Sequence, residues 1–359
     1  MNTVSKVGIV GGGLIGTSVA LKMALLGAKV RVKDLDKSHQ KVANELLGES
    51  LLESSSPAEV IVVAVPVDVL PEVIVDELCS NPKAIIIDIG SIKTKVLLEV
   101  TTLLAKKSQS EALERYVPSH PMAGREISGP ESARADLFEG RAWAITPHPE
   151  LDNQTLAFAK SFITSLGATP YELSPQQHDR QVAMTSHLPQ ILSSALAGVL
   201  REPLDLAGAG LRDMTRLAHS DSSMWLPIVE GNREEILPLL EEINESINKL
   251  INNKLNRKAV LSFMEAGSVG AAKVPGKHGG IPRNYGSLSV VIPDEPGQLA
   301  RLFNHCAEAQ INIEDIRIEH SPGQETGLIS LYVQPVDLST LNDYLSTRGW
   351  HSTVLSKGN

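Results

Sequence analysis

Val7-Gly-Ile-Val10-Gly11-Gly-Gly13-Leu14-Ile15-Gly16 is the stretch on which the fold turns. A short β-branched run leads into G-x-G-x-x-G, and the apolar spacing from Leu14 to Leu26 is helical. Strand, glycine turn and helix in this order form the phosphate cradle of a dinucleotide-binding unit. In that cradle Gly11 permits the tight turn, Gly13 lets the backbone approach the pyrophosphate, and Gly16 lets helix and strand pack. The N–H groups that open the helix at Leu14 and Ile15 face the phosphates. About twenty residues further on, Asp34 ends the next β-branched run and is placed to accept both ribose hydroxyls. A 2′-phosphate about 5 Å from it would meet roughly 3 kcal/mol of repulsion per unit charge at an effective dielectric near 20. The expected cofactor is therefore NAD rather than NADP, with Arg31, Lys33 and Lys37 read as solvated surface cations.

Outward from this core, residues 1–173 alternate short strands (Val7–Val10, Lys29–Val32, Val60–Val65, Ala84–Asp88, Tyr116–Pro118, Ala142–Thr146) with amphipathic helices. That alternation predicts an α/β fold with a mostly parallel, doubly wound sheet. Over 174–266 the strand signal gives way to helical spacing, as in Gln190–Leu200, Met224–Val229 and Glu234–Leu255, which predicts an all-helical domain. Residues 267–284 are rich in glycine, proline and basic residues and read as a linker. Residues 285–359 follow a βαββαβ pattern.

At 359 residues, 42% hydrophobic and 21% charged, the chain has the composition of a soluble protein of two or three domains. A net charge of −9 argues against nucleic acid as a partner. Cys79 and Cys306 lie in different predicted domains, which suits a reducing cytoplasm rather than a disulfide framework. The apolar stretch Val60–Val75 is interrupted by Pro66, Asp68, Pro71 and Glu72, so no membrane span and no signal peptide are expected. The ten histidines show no metal-ligand spacing, and no metal is expected.

Val65-Pro66 and Asp88-Ile-Gly-Ser91 each end a strand, so both should wall the nicotinamide side of the crevice beyond the carboxyl ends of the sheet. Ser91 has two compatible readings, a hydroxyl that orients a neighbouring imidazole and an N-cap for a helix over Lys93–Lys106. His120 follows a strand end, flanked by Pro118 and Pro121, and is read as lying on a rigid loop. Its unperturbed pKa near 6.5 suits proton exchange with a substrate hydroxyl during hydride transfer.

The motifs Gly11-Gly-Gly-Leu-Ile-Gly16, Asp88-Ile-Gly-Ser-Ile-Lys93, Ser119-His-Pro-Met-Ala-Gly124 with Glu126 and Ser128-Gly129, Thr185-Ser-His-Leu-Pro189, Arg212-Asp-Met-Thr-Arg216 and Met224-Trp225 occur together and in this order. In that combination the chain resembles the prephenate and arogenate dehydrogenases over about residues 5–266. Pro275–Pro282 followed by Asp294-Glu-Pro-Gly297-Gln-Leu299 is similar to members that carry a C-terminal ACT domain, a small ferredoxin-like amino-acid-sensing module.

The resemblance implies NAD-dependent oxidative decarboxylation of prephenate to 4-hydroxyphenylpyruvate, or alternatively oxidation of arogenate to tyrosine. His120 would accept the ring hydroxyl's proton, and Ser91 would orient it. Arg216 would bind a substrate carboxylate through its planar fork, with Arg212 one turn earlier on the same face and read as solvated. Glu126 would line the mouth of the site and His187 the pocket, while Trp225 reads as a core aromatic. Gln190 stands where several prephenate enzymes have a second histidine, and its amide suits a keto oxygen or an amine equally. The helical domain implies a homodimer, with the apolar stripe Ile236, Leu239, Leu240, Ile243, Ile247 and Leu250 as interface or internal core. Tyrosine is the expected effector, its carboxylate at Gly297 and its ammonium near Asp294 or Asn312. Two further readings remain at this level: another NAD-linked hydroxyacid dehydrogenase, which would use a lysine on the helical domain, and a non-catalytic amino-acid sensor. The intact glycines, Ser91 and His120 weigh against the sensor.

Overall fold

The computed structural model describes residues 4–53, 56–124, 129–274, 285–320 and 326–358. They divide into two compact units, Met1–Leu200 with Thr215–Ile243, and Arg201–Met214 with Asn244–Asn359.

The first unit is built on a seven-stranded sheet in the order β2-β1-β3-β4-β5-β6-β7. Its strands are β1 (Lys6–Val10), β2 (Lys29–Lys33), β3 (Val60–Val63), β4 (Ile85–Asp88), β5 (Tyr116–Pro121), β6 (Ala142–Ile145) and β7 (Thr169–Glu172). All neighbours run parallel except β5 and β6. Helices α1 (Leu14–Leu25), α2 (Lys37–Leu47), α3 (Leu70–Ser80), α4 (Thr94–Lys106) and α5 (Asn153–Ser165) connect them. Strand alternation divides the core between the two faces. Val60 and Val62 of β3 pack with Val7, Ile9, Val19 and Val30, while Ile61 and Val63 pack with Leu70, Ile74, Val96 and Val100. All four residues of β3 are buried, as a central parallel strand requires.

Three expectations need correction here. The strand predicted over Val60–Val65 ends at Val63, leaving Val65-Pro66 in the turn beyond it. His120 lies inside β5 rather than on a loop, because antiparallel pairing with β6 (His120 opposite Ala144) carries the strand to Pro121. And β7, unpredicted, closes the sheet: Thr-Pro-Tyr-Glu is short and contains Pro170, a composition tolerated at an edge.

The helical stretch holds α6 (Pro175–Val182), a π-turn (Ala183–His187), α7 (Leu188–Gly198), α8 (Ala209–Thr215), a 3-10 turn (Arg216–His219), α9 (Ser222–Gly231), α10 (Arg233–Asn252) and α11 (Arg257–Ala271). The last of these runs five residues into the predicted linker. Gly267 and Gly270 each cost a helix about 1 kcal/mol, which the Asn256 N-cap and the helix-forming residues around them offset. Residues 275–284 of the predicted linker lie outside the described residues.

In the second unit β8 (Gly286–Pro293), α12 (Gln298–Glu308), β9 (Asp315–His320), β10 (Thr326–Val333), α13 (Leu338–Thr347) and β11 (His351–Ser356) follow one another. The strands form an antiparallel sheet in the order β11-β8-β10-β9. Leu288, Val290, Ile329 and Leu331 share a core with Leu302, Cys306, Leu341 and Leu345 of the two helices.

Candidate active site

The glycine loop has the shape a dinucleotide needs. Gly11 sits at φ +102°, where an added Cβ would fall 2.2 Å from the Ala64 carbonyl oxygen, and a Cβ at Gly16 would lie 2.0 Å from that of Gly11. Above Gly13, by contrast, nothing stands within 4 Å, and no side chain caps the α1 N-terminus that begins at Leu14 and Ile15. Open space over uncapped N–H groups is what a pyrophosphate requires. Asp34 closes the loop from the end of β2: one carboxylate oxygen accepts from Gly12 N at 2.5 Å, the other from Asp36 N at 2.8 Å. Arg31 donates to the Ser56 carbonyl and Lys33 to Glu77. Lys37 lies nearer, its ammonium 3.4 Å from the Asp34 carbonyl oxygen. An Asp34→Ser variant should narrow the preference for NAD over NADP by removing about 3 kcal/mol of repulsion per unit charge. Comparable kcat/KM for both cofactors in the unmodified protein would refute this account of Asp34.

Beyond the carboxyl ends of β4 and β5 a buried polar network fixes the backbone. The Lys93 ammonium, wholly buried, bonds to the Asp88 carboxylate and, at 2.7 Å, to the Ser119 carbonyl. Asp88 also accepts from Tyr116 Oη (2.9 Å) and Gly90 N (2.8 Å), and Ser119 Oγ links the Asp88 carbonyl to the Trp143 indole. Burial lowers the Lys93 pKa against the opposing pull of Asp88, and burial raises that of the Tyr116 phenol well above its ordinary value.

His120 stands on this platform, half-buried. Its Nδ1 lies 2.9 Å from His178 Nε2, and His178 Nδ1 lies 2.8 Å from Asp179 Oδ1. Asp179 also receives Lys93 N and Thr94 N, each at 2.8 Å, and so caps α4 from another helix. The N-cap reading of Ser91 therefore changes, since the start of α4 at Thr94 carries no cap from a side chain of its own N-terminus, and the partner of His120 Nδ1 is His178. Ser91 stays half-buried at the turn between β4 and α4. The His120 pKa is pushed well below 6.5, by burial first, then by the nearby imidazole of His178, the Lys93 ammonium and His187.

His187 comes from the π-turn. Pro189 has no N–H to give and crowds the carbonyl of the residue four before it, which opens the helix at this place. Buried against the edge of Trp225, His187 accepts from the Asn232 amide at 3.0 Å, and burial lowers its pKa to about 4. Trp225 packs against the core, as expected of it. Gln190 and Ser193 of α7 brace the 3-10 turn that begins at Arg216, through Gln190 Nε2 to the Leu217 carbonyl (2.9 Å) and Ala218 N to Ser193 Oγ (3.0 Å). Gln190 Oε1 is buried and, among the described residues, without a hydrogen-bond partner. Arg216 is exposed and opens the 3-10 turn, while Arg212, exposed too, lies on α8, which ends at Thr215.

Glu126 lies outside the described residues. In the second unit Asp294 and Gly297 are exposed in the turn from β8 to α12, Gly297 at φ +87°, and the Asn312 amide donates to Glu314 at 3.2 Å. Among the described residues no group of His, Cys, Asp or Glu could hold a metal, and no helix is long and apolar enough to cross a membrane.

The sequence profile of the prephenate dehydrogenase nucleotide-binding domain matches residues 19–172, and that of the prephenate dehydrogenase dimerization domain matches 174–266. The chain belongs to the prephenate dehydrogenase family. A cyclohexadienyl dehydrogenase of Zymomonas mobilis is 30% identical, covering 70% of this chain and 88% of its own. Among solved structures, the prephenate dehydrogenase of Aquifex aeolicus in complex with hydroxyphenyl propionate and NAD+ superposes with a TM-score of 0.64 at 27% identity, over 74% of this chain and 97% of that one. Synechocystis arogenate dehydrogenase does so at 0.60 and 25%, over 75% and 100%.

His178, Asp179, Asn232 and Lys93 are the participants that sequence reasoning missed. A faint signal existed for two of them. His178 and Val182 are one turn apart on α6 and both buried, so a polar His-Asp pair occupies the face of a helix that otherwise enters the core.

Proposed function

We propose that this enzyme oxidatively decarboxylates prephenate to 4-hydroxyphenylpyruvate. It is an NAD-dependent oxidoreductase, and bound NAD supplies the hydride acceptor. The observation that carries the reading is the His120 imidazole at the carboxyl edge of the sheet: Nδ1 is engaged by His178, and among the described residues Nε2 has no hydrogen-bond partner. As the ring carbon loses hydride, its hydroxyl becomes a carbonyl, and His120 accepts the hydroxyl proton at Nε2. Loss of the opposite carboxylate as CO2 leaves its bonding electrons in the ring, which makes the ring aromatic and the step irreversible, and the phenolate oxygen so formed takes its proton back from His120. Gly11–Gly16 and Asp34 hold the dinucleotide, with Leu14, Ile15, Val65 and Pro66 along its path. Arg216 holds a substrate carboxylate, on a turn braced by Gln190, with His187 lining the pocket and Glu126 its mouth. Arogenate is the second reading. It is supported by the buried acceptor Gln190 Oε1, which suits an ammonium, and by the likeness to an arogenate dehydrogenase.

The proposed layout is a nucleotide-binding domain (1–173), a helical substrate and dimerisation domain (174–266), a linker (267–284) and an ACT domain (285–359). The strand and helix order of the second unit supports the last of these. A homodimer in the cytoplasm is part of the same proposal. Of the expected stripe on α10 only Ile236 is buried, while Leu239, Leu240, Ile243 and Leu250 are half-buried and Ile247 is exposed. Leu261, Met264 and Val269 of α11 are exposed too, apolar surface that a second copy would cover. Tyrosine is the proposed effector, through Asp294, Gly297 and Asn312.

One assay tests the reading. NADH should appear when prephenate is added, with arogenate and a hydroxyacid panel as comparison, and added tyrosine should slow it. NADH formation from a hydroxyacid but from neither cyclohexadienyl substrate would overturn the proposal. Arg216→Ala should raise KM by a factor of about 10 to 150, corresponding to about 1.5–3 kcal/mol for a charged hydrogen bond, with kcat little changed. An unchanged KM would mean that the carboxylate is held elsewhere.

A further inference from the structure

We propose that His178 and Asp179 form a positioning relay that dictates which nitrogen of His120 carries its proton, and so makes His120 Nε2 the basic atom of the site. This rests on the reading of His120 as proton acceptor.

Asp179 anchors the relay. Its carboxylate receives three N–H groups, from Lys93, Thr94 and His178, each at 2.8 Å. Burial alone would raise its pKa, but the hydrogen bonds from His178 and from Thr94 and Lys93 outweigh it and hold the carboxyl below its ordinary value. The positive end of the α4 dipole adds in the same direction. An ionised carboxylate only accepts, so His178 Nδ1 must carry a hydrogen. In a neutral His178 the lone pair is then on Nε2, 2.9 Å from His120 Nδ1. Two lone pairs cannot face each other at that distance, so the hydrogen sits on His120 Nδ1 and the lone pair on Nε2.

The surroundings favour a neutral His120 at rest. Lys93 already places a buried cation beside Ser119, next to His120 in the chain, its charge matched by Asp88. His187, held by Asn232, adds no charge. When a substrate hydroxyl gives its proton to His120 Nε2, the Nδ1 proton can pass to His178 Nε2. The positive charge then rests beside the Asp179 carboxylate, with no electrons gained or lost. Both residues act through His120, which makes them positioning residues, and the same carboxylate that caps α4 ties that helix and α6 to the reacting imidazole of β5.

The full-length enzyme labelled with 15N-histidine tests this, with His120 assigned by comparison with His120→Asn. Long-range proton–nitrogen spectra at pH 7.5 should show His120 with a protonated Nδ1 and a bare Nε2. His178→Phe, which offers no acceptor, should abolish that signature and lower kcat by about 10²-fold, with NAD affinity within about twofold. His178→Gln, whose amide oxygen can still accept from Nδ1, should keep the signature and part of the activity. A proton on Nε2 in the unmodified enzyme overturns the proposal, and so does a His178→Phe protein with the original tautomer and kcat. If His178→Phe fails to fold, the spectrum of the unmodified enzyme and His178→Gln decide alone. The tautomer is read without any turnover, so it stands or falls separately from the choice of substrate.

Discussion

His120→Asn is expected to lower kcat by about 10² to 10⁴-fold, the usual contribution of a positioned proton acceptor, while NAD binding stays close to that of the unmodified enzyme. The cradle of Gly11, Gly13, Gly16 and Asp34 shares no hydrogen bond with the His120 ring. Turnover like that of the unmodified enzyme would remove His120 from the chemistry. A pH dependence accompanies this. His120 is held well below 6.5, so it remains unprotonated through the neutral range, and kcat/KM should be flat above pH 6.5 and fall only on the acid side. Stability should follow in the same direction. Below pH 6.5 the unfolded chain binds protons that native His120 and His187 refuse, so stability declines as pH falls from 6.5 towards the His187 value of about 4. A denaturation midpoint that rose over that interval would contradict the burial of both imidazoles.

Lys93→Met should be among the most destabilising single changes in the molecule. It removes one partner of an ion pair in which both side chains are wholly buried, leaving the Asp88 carboxylate with Tyr116 and Gly90 as donors but no cation. Breaking such a pair costs about 3–5 kcal/mol, or a Tm lower by roughly 6–20 °C for a domain of this size. Urea or thermal unfolding reads the loss directly. Adding Asp88→Asn to Lys93→Met should recover part of it, because the stranded charge is then gone. If Lys93→Met unfolds within about 1 kcal/mol of the parent protein, the pair contributes little and the platform under His120 has another support.

The fold was largely legible because its signals are local. The β-branched runs at Val7–Val10 and Val60–Val63, the glycine loop and the helical spacing of Leu14–Leu26 each depend on neighbours within a turn or two. The element missed, β7, is an edge strand whose Thr-Pro-Tyr-Glu carries no strand periodicity; it forms because β6 offers an unpaired edge. Pairing with β6 likewise turned the predicted His120 loop into strand.

The site was legible in part. His120 stood out from its two prolines and its position after a strand, and Asp34 from its spacing to the glycines. The partners of His120 did not stand out, because the contacts that make them partners span the chain. His178 is 58 residues from His120, and Asp179 is 86 residues from Lys93. Ser91, near in sequence and chemically apt, was read as the orienting group; packing α6 against the start of α4 adds an imidazole and a carboxylate on the Nδ1 side. Residue type and local periodicity were enough to establish the parallel sheet and the dinucleotide cradle, and to single out His120 as the candidate proton acceptor. Its protonation environment, the buried Lys93–Asp88 pair and the bracing of the Arg216 turn by Gln190 came only with tertiary structure, since hydrogen-bond direction and burial are properties of groups brought together from distant segments.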